Sequence, residues 1–372
     1  MKNVFKKVLT TAVAVATLAT SVLGLASCGG TDNTAFKIGA SGPLTGDAAS
    51  YGISVQNGAK LAVKHINAKG GVQFAFDIKD DQADPEQASQ NYDTLYDDGM
   101  QVSLGGVTSG AGEAFAKKAN ADHIFAMTPS GSADPVIKDM PYSFRLCFGD
   151  PDQGKIAADK IKEAGYSKVG AIYDTSDSYS SGIYAAFQAQ MQANGVAYTE
   201  TSFDAENKVD FGTQAEALKD CDVVFMPFYY NEAQLFIKKA VEKGCSAVFF
   251  GCDGFDGIAG YVANVTNKIM YITPFDVNAT DEQTAAFVEA YKAEYGVDPD
   301  QFAADAYDVV MVIAAAMAKA GVTDYDIDPA ELGDILVSTV TASDFSYDGL
   351  TGTMTWDASG ACTKEPNIVE LN

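Results

Sequence analysis

The chain has 372 residues, 50 acidic against 25 basic, a formal net charge of −25, 47% hydrophobic residues and two histidines. An acidic excess of that size leaves no cationic footprint for a nucleic-acid backbone, and the apolar content excludes a disordered acidic chain. His65 and His123 offer little material for imidazole chemistry or a histidine-rich metal site, so no metal, no cofactor and no nucleic-acid partner is expected.

Lys2, Lys6 and Lys7 precede an uncharged run over 8–26, the order of basic and apolar regions in an export signal. The run ends Leu25-Ala26-Ser27-Cys28, which resembles the bacterial lipobox. The expectation is a signal peptide over 1–27, lipidation at Cys28 and a small polar tether over 28–35. The body is then extracytoplasmic and meets the membrane through its lipid anchor alone. A plain signal peptide or an uncleaved anchor helix are the alternatives. Cys147, Cys221, Cys245, Cys252 and Cys362 number five, so at least one lacks an intramolecular partner; export permits disulfides, but spacing does not assign them.

From Phe36 onward short apolar runs alternate with amphipathic stretches. The first run, 36–40, enters the turn-rich loop 41–46. Val55, Ala59, Ala62, Val63 and Ile66 then recur at helical spacing up to Gly70-Gly71. Phe74, Phe76 and Ile78 alternate as in a strand, and Asp84-Pro85-Glu86-Gln87 supplies an N-cap, a first-turn proline and a capping glutamine. Further apolar runs at 102–104, 124–127, 169–173, 223–226, 248–250 and 269–272 are separated by helical patterns such as 232–243. The alternation implies an α/β fold with parallel sheets covered on both faces. One lobe ends near Cys147, and Asp150-Pro151-Asp152 caps the first helix of a second. After Pro274 the chain turns helix-rich over 281–295, 301–319 and 329–340, as cover for the first sheet, and 345–371 alternates like strands. The expected division is 36–147 plus 275–345 for lobe 1 and 148–274 plus 346–372 for lobe 2.

Ligands of open parallel sheets bind beyond the carboxyl ends of the strands. Four loops lie there: Gly105 to Gly112, whose glycines precede a helix start; Thr128 to Pro135, rich in hydroxyls; Pro227 to Glu232, with Tyr229; and Gly251 to Gly254, with Asp253. The first is not a phosphate loop, because Ala111 stands where a Walker lysine would be, but a helix N-terminus suits a smaller anion such as a carboxylate. Asp253 is a natural acceptor for a cation, although an aspartate at such a place, taken alone, is more often an N-cap or turn residue.

Together these loops resemble the branched-chain amino-acid (leucine/isoleucine/valine) binding proteins of ABC importers, which have a type I periplasmic-binding fold: two Rossmann-like lobes joined by a multi-strand hinge. The resemblance runs in register through Ser41-Gly42-Pro43, Asn67-Ala68-Lys69-Gly70-Gly71, Asp84-Pro85, Gly105-Gly106, Pro129 with Ser130 and Ser132, Gly251 to Gly254, and Met354-Thr355-Trp356-Asp357. It implies Ser109 and Ser132 as hydroxyls for a ligand carboxylate, with the backbone at Ser130. It also implies Asp253 as acceptor for the ligand ammonium, and Tyr51, Tyr179, Tyr229 and Phe302 as aromatic walls. The implied partners are an aliphatic amino acid and ABC permease subunits, and the implied state is a monomer. Two cysteines that pair in some relatives are absent, near Ala83 and Thr108, and Asp253 is one methylene shorter than the Glu of some members. A receptor for small amides, urea-like compounds or aromatic acids, and a sensory protein presenting its ligand to a membrane partner, are the alternatives. Neither histidine stands in a nucleophile or metalloprotease motif, so an enzyme is not expected.

Overall fold

The computed structural model describes residues 33–371. The signal peptide over 1–27, Cys28 and most of the expected tether lie outside them. The body is α/β, with two separate sheets wound in parallel. In the first, β1 (Phe36–Gly42), β2 (Phe74–Asp80), β3 (Val102–Gly106), β4 (Ala126–Thr128) and β5 (Ser143–Arg145) follow the order β2-β1-β3-β4-β5. Its crossovers are α1 (Ala49–Lys69), α2 (Pro85–Asp97) and α3 (Ser109–Ala121). The second holds β6 (Val169–Asp174), β7 (Tyr198–Phe203), β8 (Val223–Met226), β9 (Val248–Gly251) and β10 (Ile269–Thr273), crossed by α4 (Asp150–Ala164), α5 (Ser178–Asn194), α6 (Gly212–Leu218) and α7 (Tyr230–Glu242).

The helices after β10 return to the first sheet. α8 (Glu282–Tyr295), α9 (Gln301–Ala320) and α10 (Pro329–Val340) follow one another without a strand between them. α9 is long and apolar enough to cross a bilayer by composition, yet it lies buried within the protein. It reaches α1 at close range because position 58 is glycine: a Cβ there would stand 2.0 Å from the Ala303 carbonyl oxygen. Five aspartates serve helix starts: α2, α5, α8, α9 and α10 begin after Asp84, Asp177, Asp281, Asp300 and Asp328, whose side chains accept a first-turn N–H.

The tail divides. Only β14 (Asn367–Leu371) joins the second sheet, antiparallel to β10. The residues expected beside it, β11 (Tyr347–Gly349), β12 (Gly352–Trp356) and β13 (Cys362–Thr363), form a small sheet of their own. It is pinned to α9 and β5: Asp308 on α9 accepts from the N–H of Leu350 and of Thr351, both at 3.0 Å, and Trp356 Nε1 donates to the Arg145 carbonyl at 2.9 Å. The chain thus passes between the sheets three times, after β5, after β10 and after β13. At the last passage Lys364 is sealed from solvent, its Nζ 2.8 Å from Asp305 Oδ1 and 2.6 Å from Thr351 Oγ1. The five cysteines in the described residues are free thiols.

Candidate functional site

The turn from β3 into α3 is built to bring backbone close to whatever lies above it. Gly105 takes φ +66°, and a Cβ on Gly106 would stand 2.6 Å from Gly112 Cα, so the first turn of α3 packs directly on the strand end. Thr108 is the N-cap residue in extended conformation, but its side chain caps nothing, and its buried Oγ1 has no hydrogen-bond partner. The first N–H groups of α3 therefore keep their partial positive charge unspent on a side-chain cap. The β4 loop is laced to this turn: Ser130 Oγ donates to the Val107 carbonyl at 2.7 Å, and Ser109 Oγ accepts from Ala133 N at 3.2 Å.

On the second sheet, β9 ends in a short 3-10 turn, Asp253–Phe255. Asp253 is buried; its Oδ1 accepts from Tyr179 Oη at 2.6 Å and from Gly254 N at 2.9 Å, while its own N–H donates to Gln153 Oε1 at 3.0 Å. Burial pushes its carboxyl up to about 6, against the pull of the hydrogen bonds from Tyr179, Gln153 and Gly254.

Between these two ends lies a narrow pocket of about 10 Å³, lined by Tyr51, Val107, Thr108, Ser130, Tyr179, Tyr229, Asp253, Gly254 and Phe302. Tyr179 and Tyr229 stack at 4.8 Å and 7°, and Tyr51 and Phe302 meet at 4.3 Å. The lobes touch across it, with Tyr51 Oη donating to the Gly254 carbonyl and accepting from Tyr230 N at 3.2 Å. Burial raises the phenols of Tyr51, Tyr179 and Tyr229 well above their ordinary value, so all three are neutral donors.

Six of the eight residues singled out in the sequence, Tyr51, Ser130, Tyr179, Tyr229, Asp253 and Phe302, border this one pocket. Ser109 and Ser132 do not. Ser109 lies one residue into α3 and receives Ala133 N, and Ser132 is fully buried, its Oγ beside the Asp150 carboxyl and its carbonyl accepting from Arg145 Nη1 at 2.7 Å. Sequence reasoning missed Thr108, whose signal was its place just before the helix start. It also missed Gln153 and Gln301, polar residues of helix first turns with no signal that separates them from surface glutamines.

The chain matches the family described as periplasmic binding protein over residues 35–366. It is 28% identical over 350 residues to a leucine-, isoleucine-, valine-, threonine- and alanine-binding protein of Pseudomonas aeruginosa, covering 92% of this chain and 91% of that one. Among solved structures it is similar to the branched-chain amino acid transporter substrate-binding protein LivJ of Streptococcus pneumoniae in complex with isoleucine, at 29% identity and TM-score 0.76, covering 91% of this chain and all of the other. A solute-binding protein of an ABC transporter from R. palustris in complex with benzoate shares the fold at TM-score 0.80 and 23% identity, covering 91% and 93%.

Proposed function

This chain belongs to the periplasmic binding protein family, as a binding protein and not an enzyme, and on that premise we propose that it captures an aliphatic α-amino acid between its lobes and delivers it to an ABC permease. The observation that carries this reading is a split complementarity. An uncapped helix start with the buried, unpartnered hydroxyl of Thr108 stands on one lobe, and the buried carboxylate of Asp253 stands on the other. A free amino acid carries a carboxylate and an ammonium on one carbon, and neither leaves water cheaply unless matched. In the proposed pose the carboxylate takes the N–H groups at the start of α3 with the Thr108 hydroxyl and the Ser130 backbone, and the ammonium takes Asp253; Ser109 and Ser132 lie behind this loop, outside the pocket. Tyr51, Tyr179, Tyr229 and Phe302 enclose the side chain. Both ends are satisfied only when the lobes meet, so occupancy favours the closed state.

Calorimetric titration of the purified protein with leucine, isoleucine, valine and benzoate is the test. Heat with the aliphatic amino acids supports the proposal. Heat with benzoate alone replaces it with an aromatic-acid receptor, and absence of heat with the three amino acids rejects the ligand class.

A pH dependence follows from Asp253. Its folded-state pKa, about 6, lies above the ordinary 3.8, so its protonation favours the ligand-free fold. That contribution is complete below the unfolded value and is lost as pH rises through 6. Ligand binding runs the other way, because an ammonium pairs with the ionised form. Affinity is expected to rise about tenfold between pH 5 and pH 7 and then level off. Titrations across that range check it, and a flat profile in the wild type would remove Asp253 from the ammonium site.

The proposed address is the outer face of the cell membrane, with Cys28 carrying the lipid and the body acting as a monomer. Cys28→Ser is expected to shift the protein from the membrane fraction to the soluble extracytoplasmic fraction. Unchanged fractionation rejects the anchor.

A further inference from the structure

We infer that Gln301 is a positioning residue for ligand retention: from the first lobe it grips the loop that carries Asp253, holding the cleft shut without touching the ligand. The inference rests on the binding function proposed above and adds a residue with a separate task.

Gln301 opens α9 and is buried. It makes three hydrogen bonds, all to the second lobe. Its backbone N–H donates to Asp256 Oδ2 at 2.8 Å, its Nε2 donates to the carbonyl of Asp253, and its Oε1 accepts from Thr273 Oγ1 at 3.2 Å. With Tyr51 Oη on the Gly254 carbonyl, three donors of the first lobe converge on a four-residue stretch, Asp253 to Asp256. The grip is stiff on its own side as well. Asp300, just before Gln301, accepts from Ala303 N at 2.9 Å and from Ser54 Oγ at 2.6 Å, tying the start of α9 to α1. The next residue, Phe302, is a wall of the pocket.

Two physical consequences separate this task from ligand recognition. The three bonds of Gln301 to the Asp253 carbonyl, the Asp256 carboxylate and Thr273 exist only while the lobes are together, so opening breaks all three at once. Since none is offered to a ligand, their contribution is the same for every ligand that lets the cleft close. Such a grip forms after encounter, so it acts on escape rather than on capture.

The test is stopped-flow measurement of leucine association and dissociation on the full chain carrying Gln301→Met, which keeps the length of the side chain and removes its donor and acceptor. The expected result is a dissociation rate raised about tenfold with association unchanged within about twofold. An unchanged dissociation rate, or a loss confined to association, overturns the inference. Should Gln301→Met fail to fold, Thr273→Val frees the amide at its other end, and a dissociation rate equal to wild type then overturns it. If the wild type binds no amino acid, the functional proposal falls by itself. The grip is then read by small-angle X-ray scattering of the ligand-free proteins, where a larger radius of gyration in Gln301→Met supports it and an equal radius rejects it.

Discussion

Asp253→Asn is expected to weaken amino-acid binding by about 30-fold or more, roughly 2 kcal/mol, while leaving the ligand-free protein at least as stable as the wild type. The two halves of that expectation have one cause. The Asp253 carboxylate is buried, and its hydrogen-bond partners are the Tyr179 phenol and the Gly254 N–H, with no basic residue among them. Burial makes the ionised form expensive in the empty protein, as its upward-shifted pKa records, so a neutral amide of the same shape relieves that cost. A bound ammonium reverses the balance, because it needs a negative partner in a closed, water-poor pocket. Calorimetry for affinity and thermal unfolding for the empty protein separate the two terms. Affinity within threefold of wild type would mean that the ammonium, if there is one, sits elsewhere.

Lys364→Met is expected to cost about 3–5 kcal/mol of folding stability, the largest effect of any single change considered. Lys364 is fully buried and Asp305 is 3% exposed, with Nζ to Oδ1 at 2.8 Å. Burial works against the ammonium, but Asp305 more than compensates, and its pKa lies above the ordinary value. Methionine fills the same space and leaves Asp305 and Asp308 on α9 without their cation. The double variant Lys364→Met with Asp305→Leu removes both charges and is expected to recover most of the loss, since a buried pair replaced as a pair is close to neutral. Urea unfolding midpoints of the single and double variants check both statements. A single variant within 1 kcal/mol of wild type would contradict the burial of the pair.

The alternation of strands and helices was readable because buried parallel strands are continuous apolar runs and their helices carry amphipathic spacing. β7 escaped that reading. It is an edge strand, and Thr199 and Glu200 face solvent, so its sequence lacks the apolar signature of β6 and β8. The tail was readable as strands but not as to which sheet they join, a choice made by Asp308, Arg145 and Asp305, far from the tail in sequence, the last through Lys364. Loops at strand ends were readable because the topology of a parallel sheet sends ligands there. Within them, what each serine hydroxyl faces was not: Ser109 meets Ala133 N and Ser132 lies buried beside the Asp150 carboxyl, a distinction of a few ångströms in loop geometry. Gln301 was invisible for a related reason, because its three partners belong to the other lobe and exist for it only after folding.

The chain contains a single tryptophan, and its indole is tied to the Arg145 carbonyl at the edge of the first passage between the sheets. Its intrinsic fluorescence is therefore a native probe of packing at the base of that passage, from inside the protein and without an attached dye.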